Sequence, residues 1–318
     1  MKAQILAGVL VASAAVAVAG QVAVPKQFRS SADIVEVHAT VKLRSGTIAH
    51  DLTREDFELR EDGKPAEITV FSRSVQPLSV ALVLDHSGST SGEFASVTMA
   101  AREFVAHLLR GDRAAVSSLM WDCQAFTDDH RELATVLNME LPGDLGSPIW
   151  SATNRAMSAL TAEGGRRIVL LLSDGEDTQA EALAAGIVPS GGPPTGLTRA
   201  ASPFMHPCDW ADTSAFVTAR DVSTRAEREA VMVYTVSVGS SSGELADLAK
   251  KSGASHQRLG SYDELRDAFR SIADELHLQY VLGFAPSFTD GKSHDIAVKV
   301  KRSGVTVRAR KGYVASVK

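Results

Sequence analysis

Asp85, Ser87 and Ser89 stand at alternate positions after an uninterrupted apolar run, Val80-Ala81-Leu82-Val83-Leu84. A second such run, Ile168-Val169-Leu170-Leu171-Leu172, ends at Ser173-Asp174-Gly175. Apolar runs of this length, free of alternation, predict strands buried on both faces, as in a parallel sheet. Ligands of doubly wound folds bind beyond the carboxyl ends of such strands. Asp85 and Asp174 are therefore expected on one rim, with the hydroxyls of Ser87 and Ser89 beside them. Two carboxylates and two hydroxyls form an all-oxygen set, which suits a hard cation of the Mg²⁺ class. Two aspartates only neutralise a divalent ion, so the metal stays electrophilic enough to accept an anionic oxygen from another molecule. Asp and Ser also cap turns and helix starts, but their joint occurrence with Asp174 favours the metal reading.

Around these segments, buried strands alternate with amphipathic helices. Phe94, Val97, Ala100, Ala101, Phe104, Val105 and Leu108 form a helical stripe, and Ala114 to Met120 reads as a strand. Ser147 to Leu160 reads as a loop leading into a helix. A helix near 214–230 leads to the strand Val231 to Val236, and Leu245 and Leu248 mark a further helix. Ser261 with Glu264 forms a capping box before the stripe Leu265, Phe269, Ile272 and Leu276. The pattern over 78–278 predicts an α/β domain, a doubly wound, mostly parallel sheet with helices on both faces.

The flanks differ. Val35, Val37, Ala39, Val41 and Leu43 alternate with polar residues, and Asp62-Gly63 separates further alternating runs. Alternation returns after 279, at Tyr280 to Phe284, Ile296 to Val300 and Val305 to Ala309, with Arg302-Ser303-Gly304 as a turn. Segments 34–75 and 279–315 are expected to build one small β domain, with 78–278 inserted between them. Residues 179–213 carry Gly and Pro at a density that breaks regular structure and read as an insertion.

Lys2 followed by the uncharged stretch Ile5 to Val18 and small residues at Ala17-Val18-Ala19 predicts a secretory signal over 1–20 and an exported protein, whether periplasmic, secreted or at the cell surface. No membrane span is expected after its removal. The net charge of −5 excludes a general nucleic-acid binder. The basic residues Lys299, Lys301, Arg302, Arg308, Arg310 and Lys311 read as the solvated face of two strands. The two cysteines, Cys123 and Cys208, permit one bridge. Cys123 follows the second strand and Cys208 lies in the insertion beyond Asp174, so a disulfide on the metal face is expected.

Asp85-His86-Ser87-Gly88-Ser89, followed by a buried strand ending in Ser173-Asp174-Gly175-Glu176-Asp177, resembles the von Willebrand factor type A family over roughly 78–278. In that family these positions form the metal-ion-dependent adhesion site. The resemblance implies direct coordination by Ser87 and Ser89, with Asp85 and Asp174 acting largely through water. It also implies a further hydroxyl from an intervening loop. The matching loop here is Gly143-Asp144-Leu145-Gly146-Ser147-Pro148-Ile149-Trp150, and Ser147 stands where the family usually has Thr. Asp56 to Gly63, Gln279 to Phe284 and Arg308 to Tyr313 look like the flanks of exported bacterial proteins containing this domain. The implied function is non-enzymatic, an adhesion or scaffolding module. Its Mg²⁺ or Mn²⁺ would be completed by an Asp or Glu carboxylate of a protein ligand. Asp177 is expected to be a solvated loop carboxylate, His86 to point away from the metal, and Trp121 and Trp150 to pack near the rim.

Two other function classes use the same residues. A Ser-His-Asp hydrolase would take Ser87, His86 and Asp174, but no G-x-S-x-G elbow surrounds Ser87. A Mg²⁺-dependent phosphoryl-transfer enzyme would take Asp85 as nucleophile. Ser87 occupies the place of the second carboxylate such a loop needs, and no phosphate-binding G-x-x-x-x-G-K-[ST] loop occurs. A third reading is a structural module whose metal only stabilises the rim.

Overall fold

The computed structural model describes residues 34–87, 92–139, 141, 143–144, 146–178, 216–239 and 243–317, and the backbone of 209–210. The signal segment 1–20, Ser89, Cys208 and all of the 179–213 insertion except Asp209 and Trp210 lie outside them.

The element order is β1 (Val35–Leu43), β2 (Phe57–Glu61), β3 (Lys64–Ala66), β4 (Val70–Ser72), β5 (Leu78–Leu84), α1 (Phe94–Ala106), β6 (Arg113–Ser118), β7 (Trp121–Thr127), α2 (His130–Asn138), α3 (Ile149–Leu160), β8 (Arg166–Leu172), β9 (Asp209–Trp210), α4 (Ala219–Glu229), β10 (Met232–Val238), α5 (Gly243–Ser252), β11 (His256–Leu259), α6 (Leu265–His277), β12 (Tyr280–Phe284), β13 (Ser293–Val300), β14 (Val305–Ala309) and β15 (Gly312–Val314).

The central sheet runs β11-β10-β8-β5-β6-β7-β9. Five strands are parallel, whereas β7 and β9 are antiparallel to their neighbours. All seven residues of β5 are buried, because helices cover both faces. On one face Val80, Leu82, Leu84, Leu170 and Tyr234 pack against α1, α2 and α6. On the other, Ala81, Val83, Val169, Leu171 and Val233 pack against α3, α4 and α5. This is the doubly wound α/β arrangement that the two-sided apolar runs require. From β5 the chain winds outward to β6, and from β8 it winds the other way to β10. The β5/β8 pair is therefore the topological switch point, and the ends of these two strands flank a crevice.

Two features of this sheet escape the apolar pattern. The strand expected over Ala114 to Met120 stops at Ser118, and the chain turns back as the antiparallel edge strand β7. Helix α2 begins at Asp129, whose carboxylate accepts the N–H groups of Arg131 and Glu132. The capping box of Ser261 and Glu264 is present, and it opens a 3₁₀ turn that leads into α6.

The flanks supply two four-stranded antiparallel sheets, β14-β1-β12-β4 and β15-β13-β2-β3, each mixing strands from both ends of the chain. Val37, Ala39 and Val41 face inward, and with Leu59, Leu282, Phe284 and Ile296 they form a separate apolar core. Asp62 and Gly63 carry φ of 46° and 77° in the β2–β3 hairpin, both in the left-handed region that a type I′ turn demands. Arg302 to Gly304 do form a turn, but β13 and β14 belong to different sheets, so it rounds a corner of the sandwich.

The solvated-face reading holds for the exposed Lys299, Lys301, Arg302 and Lys311 and fails for Arg310, whose Nε is buried, and for Arg308. The Arg308 guanidinium pairs with Glu275, a carboxylate only 1% exposed. β14 turns this side toward α6 and the central sheet, not toward water.

His294 on β13 lies between two carboxylates, Asp62 at 2.8 Å and Asp290 at 3.0 Å, and its ring stacks on Phe288 at 4.0 Å. Hydrogen bonds to Asp290 and Asp62 raise its pKa, and both aspartates are lowered in turn by that contact. A His raised above its unfolded value of about 6.5 contributes stability that is full below that value and lost as pH rises through the folded pKa. The urea midpoint should therefore fall between mildly acidic and mildly alkaline pH, and His294→Gln should flatten the fall. Identical pH profiles in the two proteins would refute the assignment.

Candidate metal-binding rim

The carboxyl ends of β5 and β8 bring the sequence-predicted residues together. Asp85 is fully buried, and its backbone N–H continues the ladder to Leu172 O at 3.0 Å. Its carboxylate accepts the Ser87 N–H at 2.9 Å and the Ser173 hydroxyl at 2.8 Å. Burial raises the Asp85 pKa; bonds from Ser87 and Ser173 oppose the rise, and the negative charge of Asp174 adds to it. Asp85 and Asp174 thus share one rim, where burial makes the Asp85 charge costly. Asp174 is half-buried and accepts the Glu176 N–H at 3.2 Å. Tyr262 borders the same rim: burial and then the charges of Asp174, Asp85 and Glu93 raise its phenol.

Ser147 reaches the rim through a second strap. Its N–H donates to Thr178 Oγ1 at 2.7 Å, and the Thr178 N–H donates back to Ser147 O at 3.1 Å. A Cβ on Gly146 would lie 3.1 Å from that Thr178 hydroxyl, so the glycine permits the close approach. Ser147 is buried. Asp177 is not the solvated carboxylate expected: it accepts the Trp150 N–H at 3.1 Å at the start of α3. Thr178 and Asp177 together fasten the loop after β8 to the loop before α3.

Asp144, in the loop before Ser147, carries no site signal in the sequence, yet it organises the rim. Its carboxylate accepts four hydrogen bonds: from Ser118 Oγ at 2.6 Å, Met120 N at 2.9 Å, His86 N at 3.1 Å and Leu119 N at 3.2 Å. Its own N–H donates to His86 O at 2.9 Å. Asp144 therefore fixes the backbone between Asp85 and Ser87 to the end of β6. Burial pushes its carboxyl up to about 6, with the Asp85 charge adding to the rise. Asp flanked by Gly and Leu reads locally as a turn residue, and only the convergence of three loops reveals its use.

His86 is turned inward. Its ring is 1% exposed and stacks on Phe94 at 4.2 Å, and burial lowers its pKa to about 4, so it is neutral. Trp121 and Trp150 are buried at 8% and 5% exposure, a packing role, with Trp121 Nε1 donating to Gly143 O at 3.3 Å. Cys123 on β7 is buried and disulfide-bonded. Cys208 is the only other cysteine of the chain and lies outside the described residues. The strand directly after it, β9, pairs with Trp121 and Asp122 of β7.

The donor set fits a hard divalent cation by its chemistry: carboxylates of Asp85 and Asp174 and hydroxyls of Ser87 and Ser147, all oxygen donors. Among the described residues no group of three or more His, Cys, Asp or Glu side chains is placed to hold a metal ion. A cation on this rim would thus rely on two aspartates and on hydroxyls.

No family profile matches the chain, and no curated protein matches it. Among solved structures it is similar to proximal thread matrix protein 1 from the mussel byssus, with TM-score 0.48 and 13% identity over 76% of this chain and 50% of that one. The chain thus spans half the length of that protein. It is also similar to the vWF domain of the type V pili tip protein Mfa5 from Porphyromonas gingivalis, with TM-score 0.44, 16% identity, and coverage of 63% and 95%. A third is von Willebrand factor type A from Catenulispora acidiphila, with TM-score 0.44, 11% identity, and coverage of 91% and 76%.

Proposed function

We propose that this chain is an exported von Willebrand factor type A protein whose central domain binds a protein ligand through a metal ion. The observation that carries this reading is the placement of Asp85, Ser87, Asp174 and Ser147 around the β5/β8 switch point, with Asp85 fully buried opposite a second carboxylate. Like charges at a buried rim disfavour each other until a cation lies between them. Asp85, Asp174, Ser87 and Ser147 would hold Mg²⁺ or Mn²⁺, with Ser89 joining them by the family resemblance. The bound ion would supply an electrophilic position for a carboxylate oxygen of the partner, an Asp or Glu. The chain's own part is to keep the hydroxyls in place and the ligand charge low. His86, the histidine a Ser-His-Asp arrangement would need, is buried with its ring stacked on Phe94.

Titrating Mg²⁺ into the purified protein should give one site per chain, and Asp85→Ala should abolish it. At a free Mg²⁺ concentration 100-fold above Kd, the ion should stabilise the fold by about 2.7 kcal/mol, lost in EDTA. Capture of a carboxylate-bearing ligand should fail in chelator and return with Mg²⁺ or Mn²⁺. An unchanged isotherm in Asp85→Ala would overturn the site. Hydrolysis of a generic phosphate ester, lost in Asp85→Asn, would replace the binding reading with an enzymatic one.

A further inference from the structure

At the opposite ends of the same strands lies a cavity of about 650 Å³, lined by the starts of β8 and β10, by β1, and by the β14–β15 corner. We propose that it is a second ligand site, which binds a small organic oxyanion, carboxylate or phosphate, through Arg310 and Arg166. Arg310 lines this cavity, and its guanidinium makes no hydrogen bond or ion pair among the described residues. Its Nε is buried without a partner. Arg166 is 7% exposed and lines the same cavity; two of its nitrogens donate to Gln279 Oε1 and Leu276 O, and its Nε is likewise buried and unpartnered. A buried guanidinium without an acceptor is costly, and its planar fork matches a carboxylate or phosphate.

The other charges facing the cavity support an anionic ligand. Lys251, Arg167 and Arg228 also line it, against two carboxylates, Glu36 and Glu227, whose charges favour the Arg310 cation without closing on it as ion pairs among the described residues. His38 does not supply a further cation: burial and then the charges of Arg166 and Arg310 lower its pKa to about 3. Its Nδ1 is buried and unpartnered, so a neutral donor or acceptor is held beside the two guanidines.

The walls are fixed by backbone. Gly253 has φ of 84°, and a Cβ there would lie 2.4 Å from Arg310 N. Gly165 has φ of 70°, and a Cβ there would lie 2.4 Å from Pro77 O. Only glycine allows these two approaches, which set Arg310 against α5 and Arg166 beside the entry to β5. The volume is that of a small-molecule site. The seven residues of β8 separate it from the metal rim by roughly 20 Å at about 3.3 Å per residue, so the two sites are distinct.

The test is calorimetry on the full chain with inorganic phosphate, pyrophosphate and citrate, at constant ionic strength set by chloride. One of these probes should bind with unit stoichiometry. Arg310→Gln should weaken it at least tenfold and Arg310→Lys less, while Asp85→Ala should leave it unchanged. Citrate binding alone would assign a carboxylate ligand, and phosphate or pyrophosphate binding alone a phosphorylated one. Absence of heat and of any thermal shift with all three probes would overturn the proposal. So would equal affinity in Arg310→Gln, shown by its unfolding transition to be folded.

Discussion

Replacing Glu275 by alanine should cost about 3 kcal/mol of unfolding free energy, among the largest single-residue losses in the molecule. Glu275 lies on α6 with its carboxylate 1% exposed, and it is shared by Lys42 Nζ at 3.0 Å, the Arg308 guanidinium, Tyr234 OH at 2.8 Å and Thr40 Oγ1 at 3.4 Å. Tyr234 belongs to the central sheet; Thr40 and Lys42 are on β1 and Arg308 is on β14. One carboxylate therefore fastens the flanking sheets to the α/β core. Its removal leaves two cations and two hydroxyls facing one another without this acceptor, and that penalty exceeds the modest net value of any one pair. Lys42 and Arg308 remain 30% and 26% exposed, so water recovers part of the loss and the estimate sits at the low end for buried pairs. Glu275→Gln keeps the shape and should cost less. Burial, and then the neighbouring Glu275 charge, push the Tyr234 phenol well up, so the tyrosine stays a neutral donor throughout the working pH range. Urea unfolding of Glu275→Ala, Arg308→Met and the double variant measures the coupling directly. A loss below about 1 kcal/mol in Glu275→Ala would mean that the apolar contacts of the flanks hold without this pin.

The parts of this architecture legible in the sequence are those set by local periodicity. Two-sided apolar runs gave β5, β8 and β10, and alternation gave β1, because helices cover both faces of the first group, whereas β1 packs Val37, Ala39 and Val41 in an apolar core and sets polar Thr40 and Lys42 against Glu275. Asp62-Gly63 and Ser261 with Glu264 were readable because turns and caps are settled within four residues. The rim carboxylates were readable for a related reason: a strand that must be buried up to Leu84 leaves Asp85 at its mouth. What stayed hidden depends on distant partners. Arg308 has the sequence context of a solvated strand residue, and its partner Glu275 looks like an ordinary polar position of an amphipathic helix. β7 starts three residues after β6 ends and alternates only partly, since it is an edge strand. Asp177 and Asp144 are separated by 27 and 58 residues from their respective partners Trp150 and His86, across elements whose adjacency only the strand order creates.

Asp144 and Asp85 should respond oppositely to mutation, although both are buried aspartates of one rim. Asp144→Ala removes the acceptor of four hydrogen bonds and leaves the N–H groups of His86, Leu119 and Met120 and the Ser118 hydroxyl facing an empty site. At about 1–3 kcal/mol for each donor left unsatisfied, and with partial relaxation toward water, the loss should reach about 3–5 kcal/mol. The same change frees the backbone between Asp85 and Ser87, so Mg²⁺ affinity should fall even though Asp144 is not a ligand in this reading. Asp144→Asn offers no full remedy: its amide group would point a donor at donors. Asp85→Ala removes a carboxylate whose charge is disfavoured by burial and by Asp174, and it gives up hydrogen bonds from the Ser87 backbone and side chain and from the Ser173 hydroxyl. It should abolish Mg²⁺ binding while costing the metal-free protein clearly less than Asp144→Ala does. The measurements are urea unfolding in EDTA and Mg²⁺ calorimetry on each variant. If Asp144→Ala were to unfold within about 1 kcal/mol of the parent and bind Mg²⁺ equally well, its hydrogen bonds would not be what shapes the rim. Equal destabilisation by both substitutions would instead make Asp85 a structural residue and remove the main physical support for a cation between Asp85 and Asp174.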